Sequence, residues 1–343
     1  MFEKQILIIG GTGAIGTYTI EELVKLGYQM DVITLDPLES TNQIHYICRN
    51  FNDGIVDEIL KEKYYDAIID FRHHDPRNYP PILEQLAEHT QHLIYLSSYR
   101  VYADTEVPIR ESSPRWIDVM DDDTLNTFKK KNEYSVQKGC CEEIIRSSKY
   151  ADKVTIVRPL IAFYHGRLSY ITCRASIVVA RTMNHKKIIV PEAAKNITAG
   201  YCFSGNVGKQ LAHLVLNPKA YGEAYTLGTD ENLTWGTIGE YMTELFGAEF
   251  IWTDMQSYLD NGVSDPAADL IGLNYDRLVN RQMDISKVLS VTDLRRSDLM
   301  NTYDALKQEI RIIRNNPNIY DRMIQEYDKA LDEKMDSFIR SLR

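Results

Sequence analysis

The chain lacks most of the features that would fix its class by inspection. Its five cysteines, Cys48, Cys140, Cys141, Cys173 and Cys202, are odd in number and form no C-x-x-C pair, which argues against a disulfide framework and against a zinc site. Reduced thiols and no bound metal are expected. No apolar run approaches the roughly 20 residues that would span a bilayer, so no membrane segment is expected. Positive charge is in deficit: 39 Lys and Arg against 49 Asp and Glu give a net charge of −10. That balance disfavours DNA and anionic membranes and leaves RNA only a local basic pocket. The opening MFEKQILIIGG has a short apolar run but no cleavage site of the kind that ends a signal peptide, so a cytoplasmic protein is expected. Internal repeats and low-complexity stretches are also missing.

What is present is a chain of 343 residues with 44% hydrophobic and 26% charged content, enough for one continuous body with two lobes. QILIIG reads as a strand, GTGAIG as a turn and TYTIEELVKLG as a helix. QMDVITLD, YDAIIDF, HLIYLSS and KVTIVRP supply further strands, separated by helical patterns in IVDEILKEKY, YPPILEQLAEH and the segment from Tyr134 to Ser148. This alternation predicts an α/β fold with a parallel sheet covered by helices on both faces. The charged stretch from about Asp293 reads as two terminal helices, suited to covering apolar surface or supporting a partner subunit.

The glycines Gly10, Gly13 and Gly16 stand at G-x-x-G-x-x-G spacing between a strand and a helix. Such a turn lets the backbone N–H groups around Ala14 and Ile15 approach a pyrophosphate at a helix N-terminus. Asp36, about twenty residues on, is placed to accept hydrogen bonds from an adenosine ribose and to repel a 2′-phosphate, which favours NAD over NADP. Asp53 is a candidate for the adenine amino group, with a turn role as the alternative.

Ser97 and Ser98 end an apolar strand, at the edge of an open α/β sheet where ligands bind. Tyr134 and Lys138 are four residues apart on a helix and share one face. A phenol near pKa 10 is too weak a base at neutral pH unless neighbouring positive charge stabilises its phenolate. Lys138 could supply that charge, Tyr134 could exchange a proton with a substrate hydroxyl or carbonyl, and Ser98 could hydrogen-bond the reacting oxygen.

With these residues in place the chain resembles the extended short-chain dehydrogenase/reductase group, the NAD-dependent epimerase/dehydratase family. Its motifs stand as Gly10, Gly13 and Gly16; Ser98, Val101 and Tyr102; Tyr134 and Lys138; and Arg158 with Pro159. The resemblance implies a Rossmann-type doubly wound nucleotide domain over 1–165, with Lys138 and Pro159 also near the cofactor. It implies a smaller C-terminal α/β substrate lobe over 166–343, with possible return of the chain to the first domain, and frequent dimerisation. It further implies a small-molecule substrate, most simply a nucleoside-diphosphate sugar.

The pattern departs from the family at DFRHHDP, where Arg72, His73 and His74 replace the usual small residues. They are candidates for substrate contact or for a surface salt-bridge cluster with Asp70 and Asp75. Tyr99 and Arg100 follow Ser98 where dehydratases carry an Asp-Glu pair, which disfavours elimination of water. Arg158, Arg167, Arg174 and Arg181 lie where the substrate lobe begins, and an arginine fork suits a pyrophosphate. Arg100, His165 and Arg174 complete the candidate substrate residues. The expected activity is NAD-dependent epimerisation or oxidoreduction at a sugar hydroxyl. The alternatives are a dehydrogenase or ketoreductase acting on a smaller substrate, and a non-catalytic NAD- or RNA-binding protein of the same fold.

Overall fold

A computed structural model describes residues 4–342. The chain opens with β1 (Gln5–Ile9), α1 (Ala14–Lys25), β2 (Gln29–Thr34), β3 (Ile44–Cys48), α2 (Ile55–Glu62), β4 (Tyr65–Asp70), α3 (Tyr79–Glu88) and β5 (Thr90–Leu96). A long connection carries α4 (Trp116–Val119) and α5 (Asp122–Lys130) to α6 (Tyr134–Arg146), followed by β6 (Val154–Pro159). Among the described residues seven parallel strands form the main sheet, in the order β10 (Ala224–Leu227), β6, β5, β4, β1, β2, β3.

The sequence of β1 is continuously apolar because both faces of the sheet are covered. Ile6 and Ile8 enter one core while Leu7 and Ile9 enter the other, and all four are fully buried. The strand order reverses between β1 and β4, so their carboxyl ends diverge and open a crevice. The glycine turn follows β1 and the DFRHHDP segment follows β4, so both face this crevice.

The second half contains β7 (Ile161–Phe163), α7 (Ala175–Met183), β8 (Lys187–Pro191), β9 (Tyr201–Phe203), α8 (Ser204–Leu214) and β10 (Ala224–Leu227). It continues through α9 (Trp235–Phe246), β11 (Glu249–Thr253), α10 (Met255–Asn261), α11 (Pro266–Gly272) and α12 (Ser286–Val291). β8 pairs with β11 and β7 with β9, both parallel. Two elements of this half return to the first. β10 adds to the main sheet beside β6, in register from Ala224 opposite Ile156 to Leu227 opposite Pro159. α8 lies against α1 at Gly208, where a Cβ atom would come within 2.7 Å of the Thr19 backbone nitrogen. Only glycine permits that approach.

Among the described residues the charged tail forms three helices rather than the expected two: α13 (Thr302–Asn315), α14 (Pro317–Gln325) and α15 (Lys329–Ser341). Pro317 starts α14 at a position that needs no N–H donor. The Asp328 carboxylate then accepts from the Leu331 N–H, which caps α15 and ends the continuity of the pattern. The tail is fastened by Arg181, a fully buried side chain of α7 that pairs with Asp332 and, at 2.8 Å, with Asp336. Arg181 is therefore an anchor for α15 and not a substrate contact.

Candidate active site

The glycine turn has the geometry a dinucleotide needs. Gly10 has φ +77°, in the region that favours glycine, and a Cβ on Gly16 would lie 2.2 Å from the Gly11 carbonyl oxygen. At Gly13 an added Cβ meets nothing within 4 Å, so the turn faces open space there. Gly13 gives α1 no side-chain cap, and no acidic residue stands in the first turn, which leaves the leading N–H groups of Ala14 and Ile15 available to an anion. These residues fit a pyrophosphate.

Asp36 lies beside the turn, where its carboxylate accepts a 2.5 Å hydrogen bond from Thr12 Oγ1. Thr12 is also 2.7 Å from Thr34 Oγ1. A cavity of about 960 Å3 runs from Thr12 and Asp36 past Tyr164 and His165 to Arg322 of α14. Asp53 does not line this cavity. Its carboxylate pairs with Arg49 and accepts from the Ile55 N–H at the start of α2, which is the turn role. His165 lines the cavity, but its N–H and Nδ1 both contact Glu309 Oε2, at 2.7 and 2.8 Å. Glu309, from α13, also accepts from the Tyr18 hydroxyl.

At the end of β5, Ser98 caps a short 3-10 turn over Tyr99–Val101 by accepting from the Arg100 N–H at 3.2 Å. Tyr134 is the first residue of α6, whose N-terminus is capped by the Glu133 carboxylate through Ser135 and Val136. The Tyr134 residue is 36% exposed. His73 stacks on it with ring centroids 5.3 Å apart, and the Arg100 guanidinium lies 5.3 Å from the ring centroid. Pro159 ends β6 opposite Leu227, at the same carboxyl edge of the sheet.

The electrostatics of the tyrosine differ from the sequence-based expectation. Burial against its neighbours pushes the Tyr134 phenol above its ordinary value; Ser98, Arg100 and Arg167 act in the opposite direction. Lys138 is almost wholly buried, donates to the Leu96 carbonyl at 2.5 Å, and sits 5.9 Å from the Tyr134 ring centroid. Burial pulls its ammonium down to about 8. The cations that favour a phenolate in this structure are arginines, which sequence spacing did not indicate.

The histidine segment divides by position. Burial alone would push the Asp70 carboxyl up, but the Arg72 guanidinium and His74 hold it well below the carboxylate range. Arg72 Nε lies 2.8 Å from Asp70 Oδ1, and His74 Nε2 lies 2.8 Å from Asp70 Oδ2. The cluster is buried rather than superficial, and Asp75 pairs instead with Arg77. Arg72 is thus held away from the cleft. His73 alone faces Tyr134, with its Nε2 2.7 Å from Gln137 Oε1.

Arg158, one of the family-motif residues, is also structural. It pairs through Nε and Nη2, at 2.9 and 2.6 Å, with the fully buried Glu142, which accepts from Ser97 as well. Arg174 precedes α7 and lines a second cavity, of about 560 Å3, together with Ala14, Arg100, Arg167, Ser176 and Arg277. Sequence reasoning missed Asp276, which is buried, accepts a short hydrogen bond from the Tyr99 hydroxyl and pairs with Arg100 and Arg277. Its partner Tyr99 lies 177 positions away, and no local pattern marks it.

The doubly wound sheet and this glycine turn define a Rossmann-type α/β fold, with Ser98, Tyr134 and Lys138 near its carboxyl edge. Similar solved structures include an epimerase from Methanothermobacter thermautotrophicus at 16% identity, with a TM-score of 0.72, covering 93% of this chain and 95% of that one. A short-chain dehydrogenase/reductase superfamily protein from Agrobacterium tumefaciens, solved with NAD bound, shows 14% identity, a TM-score of 0.64 and coverage of 93% and 99%. UDP-glucuronic acid 4-epimerase from Bacillus cereus, in complex with UDP-glucuronic acid and NAD, shows 13% identity, a TM-score of 0.63 and coverage of 91% and 99%. No curated protein sequence matches the chain.

The model of the NAD dependent epimerase/dehydratase family matches residues 6–196, and the chain belongs to that family. It is an NAD-dependent enzyme of the epimerase/dehydratase kind. Among the described residues no helix is long and apolar enough to cross a membrane.

Proposed function

We propose that the protein oxidises and re-reduces a hydroxyl of a phosphorylated sugar, most simply a nucleoside-diphosphate sugar, with NAD as the resident cofactor. The observation that carries the substrate class is the second cavity. Arg167 and Arg174 are exposed there and make no ion pair among the described residues. α7 begins beside them without a side-chain cap, and the hydroxyl of Ser176 is buried with no partner. Two free guanidinium groups, a helix N-terminus and an unmatched hydroxyl are suited to phosphate oxygens.

In this reading the Gly10–Gly16 turn holds the cofactor pyrophosphate and Asp36 the adenosine ribose, while Lys138 and Pro159 lie toward the nicotinamide end. NAD would supply the hydride acceptor and donor. Ser98 hydrogen-bonds the reacting oxygen and Tyr134 removes and returns its proton. Asp36, already holding Thr12, favours the unphosphorylated ribose of NAD over NADP.

The test is mass spectrometry of ligand released from the purified protein, followed by calorimetric titration with NAD, NADP and a panel of nucleotide sugars. Bound NAD and selective affinity for one nucleotide sugar are expected, with turnover of that sugar falling at least about 100-fold in Tyr134→Phe. Turnover retained in Tyr134→Phe would remove the assigned proton path. NAD binding without affinity for any phosphorylated sugar would overturn the substrate class.

A further inference from the structure

Arg100 makes contacts that the proton-transfer scheme above does not use. Its Nη2 donates to Glu133 Oε1 at 3.1 Å, and its Nε lies 3.3 Å from Asp276 Oδ2 in an ion pair not aligned as a hydrogen bond. Glu133 caps α6 immediately before Tyr134 through its other oxygen, which accepts the Val136 N–H at 3.1 Å. Asp276 belongs to the second half of the chain, in a π-helical turn over Leu273–Arg277, and is almost wholly buried. One guanidinium therefore bridges the cap of the tyrosine helix and a fixed carboxylate of the other lobe, while resting on the tyrosine ring.

The geometry points to Arg100 as a positioning residue for Tyr134, locking the head of α6 to the substrate side of the cleft through Glu133 and Asp276. The planar fork of arginine suits this bridge, because two carboxylates from different elements are met by separate nitrogens. The neighbour Tyr99 reinforces it by donating to the same Asp276, so the segment just after Ser98 is tied to that carboxylate twice. The Arg100 N–H also donates to Ser98 Oγ, so Ser98, Arg100 and the head of α6 are linked in one chain of contacts. The groups facing Tyr134 are His73 from the end of β4, Ser98 and Arg100 from the serine turn, Lys138 from its own helix, and Arg167 and Asp276 from the second half. Among them the Arg100 guanidinium lies nearer the ring centroid, at 5.3 Å, than the Lys138 ammonium, at 5.9 Å.

The inference rests on Tyr134 as the acid and base, so the test is chosen to be independent of cofactor and substrate. 3-Fluorotyrosine is installed at position 134 of the full chain, and its 19F resonance is followed against pH in the otherwise unaltered protein, Arg100→Met and Arg100→Lys. The methionine variant is expected to raise the titration midpoint by about one pH unit. The lysine variant keeps the charge but cannot bridge both carboxylates, so its midpoint should stay near that of the unaltered protein while its resonance broadens. A midpoint unmoved in a folded Arg100→Met protein would overturn the inference. Should that variant fail to fold, a lysine variant with unchanged line width would overturn it equally. Loss of the proposed sugar chemistry would appear in turnover assays and leave this titration untouched.

Discussion

The buried Glu142 allows a sharp test of what holds the serine-bearing edge of the sheet. Substituting Gln for Glu142 keeps the shape and removes the charge. Glu142 and Arg158 are 0% and 1% exposed, and Arg115 and Ser97 complete the shell around the carboxylate. In Glu142→Gln the Arg158 guanidinium stays buried without its counter-charge, a change that costs about 3–5 kcal/mol. For a chain of 343 residues the unfolding entropy is about 0.7 kcal/mol/K, so the melting temperature should fall by roughly 4–7 °C. Differential scanning calorimetry at pH 7 measures this directly. Adding Arg158→Met should recover part of the loss, because no buried charge then remains unpaired.

The pH dependence gives the same prediction a sign. Burial would push the Glu142 carboxyl up, but Arg158, Ser97 and Arg115 bring it below the ordinary glutamate value. Its stabilisation is therefore present above the unfolded pKa of about 4.3 and is lost as pH falls through the depressed folded value. The gap between the unaltered protein and Glu142→Gln should narrow over that acid range. A melting temperature within about 1 °C at pH 7, with no such narrowing, would refute the reasoning.

Two further outcomes follow from buried charges. Lys138 is pulled down to about 8, so below that pH its burial as an ammonium opposes folding, and the opposition is relieved between about pH 8 and the unfolded value near 10.4. Lys138→Met should thus stabilise the cofactor-free protein on the order of 2 kcal/mol at pH 7, by denaturant titration, with the gain vanishing near pH 10.4; a less stable variant at pH 7 would show the ammonium to be net favourable. Arg181→Met removes the anchor of α15 and leaves Asp332 and Asp336 to Lys186, at a loss of about 2–3 kcal/mol. Limited trypsinolysis should then cut early at Lys329 or Lys334, and an unchanged digestion pattern would contradict the anchoring role.

Much of the fold was legible because its signals are local. Continuous apolar runs such as QILII mark strands covered on both faces, and the turn glycines mark a strand-to-helix switch whose steric demands the structure repeats at Gly10 and Gly16. Ser98, Tyr134 and Lys138 could be picked out as candidates from spacing, and the structure brings Lys138 to 5.9 Å from the Tyr134 ring centroid. The residues that govern their electrostatics could not. Asp276 meets Tyr99 across 177 positions and Glu309 meets His165 across 144, distances at which periodicity carries no information. DFRHHDP shows the same limit within one short stretch: local charge suggested a common fate, yet Asp70 draws Arg72 and His74 inward and leaves His73 against Tyr134. The helix break before Asp328 was hidden by an apolar pattern that runs on through it.

The placement of β10 has a consequence for how the chain acquires its shape. The strand that closes the sheet beside β6 is made only after residues 160–223, so until Ala224–Leu227 emerges from synthesis β6 presents an open edge rich in β-branched residues. Such an edge is a template for pairing with another chain. Non-local closure of this kind is slow compared with the local strand and helix contacts that precede it. The vulnerable interval therefore lies between completion of β6 and arrival of β10, and α1, which the glycine turn opens, receives its packing partner α8 only just before β10 is made.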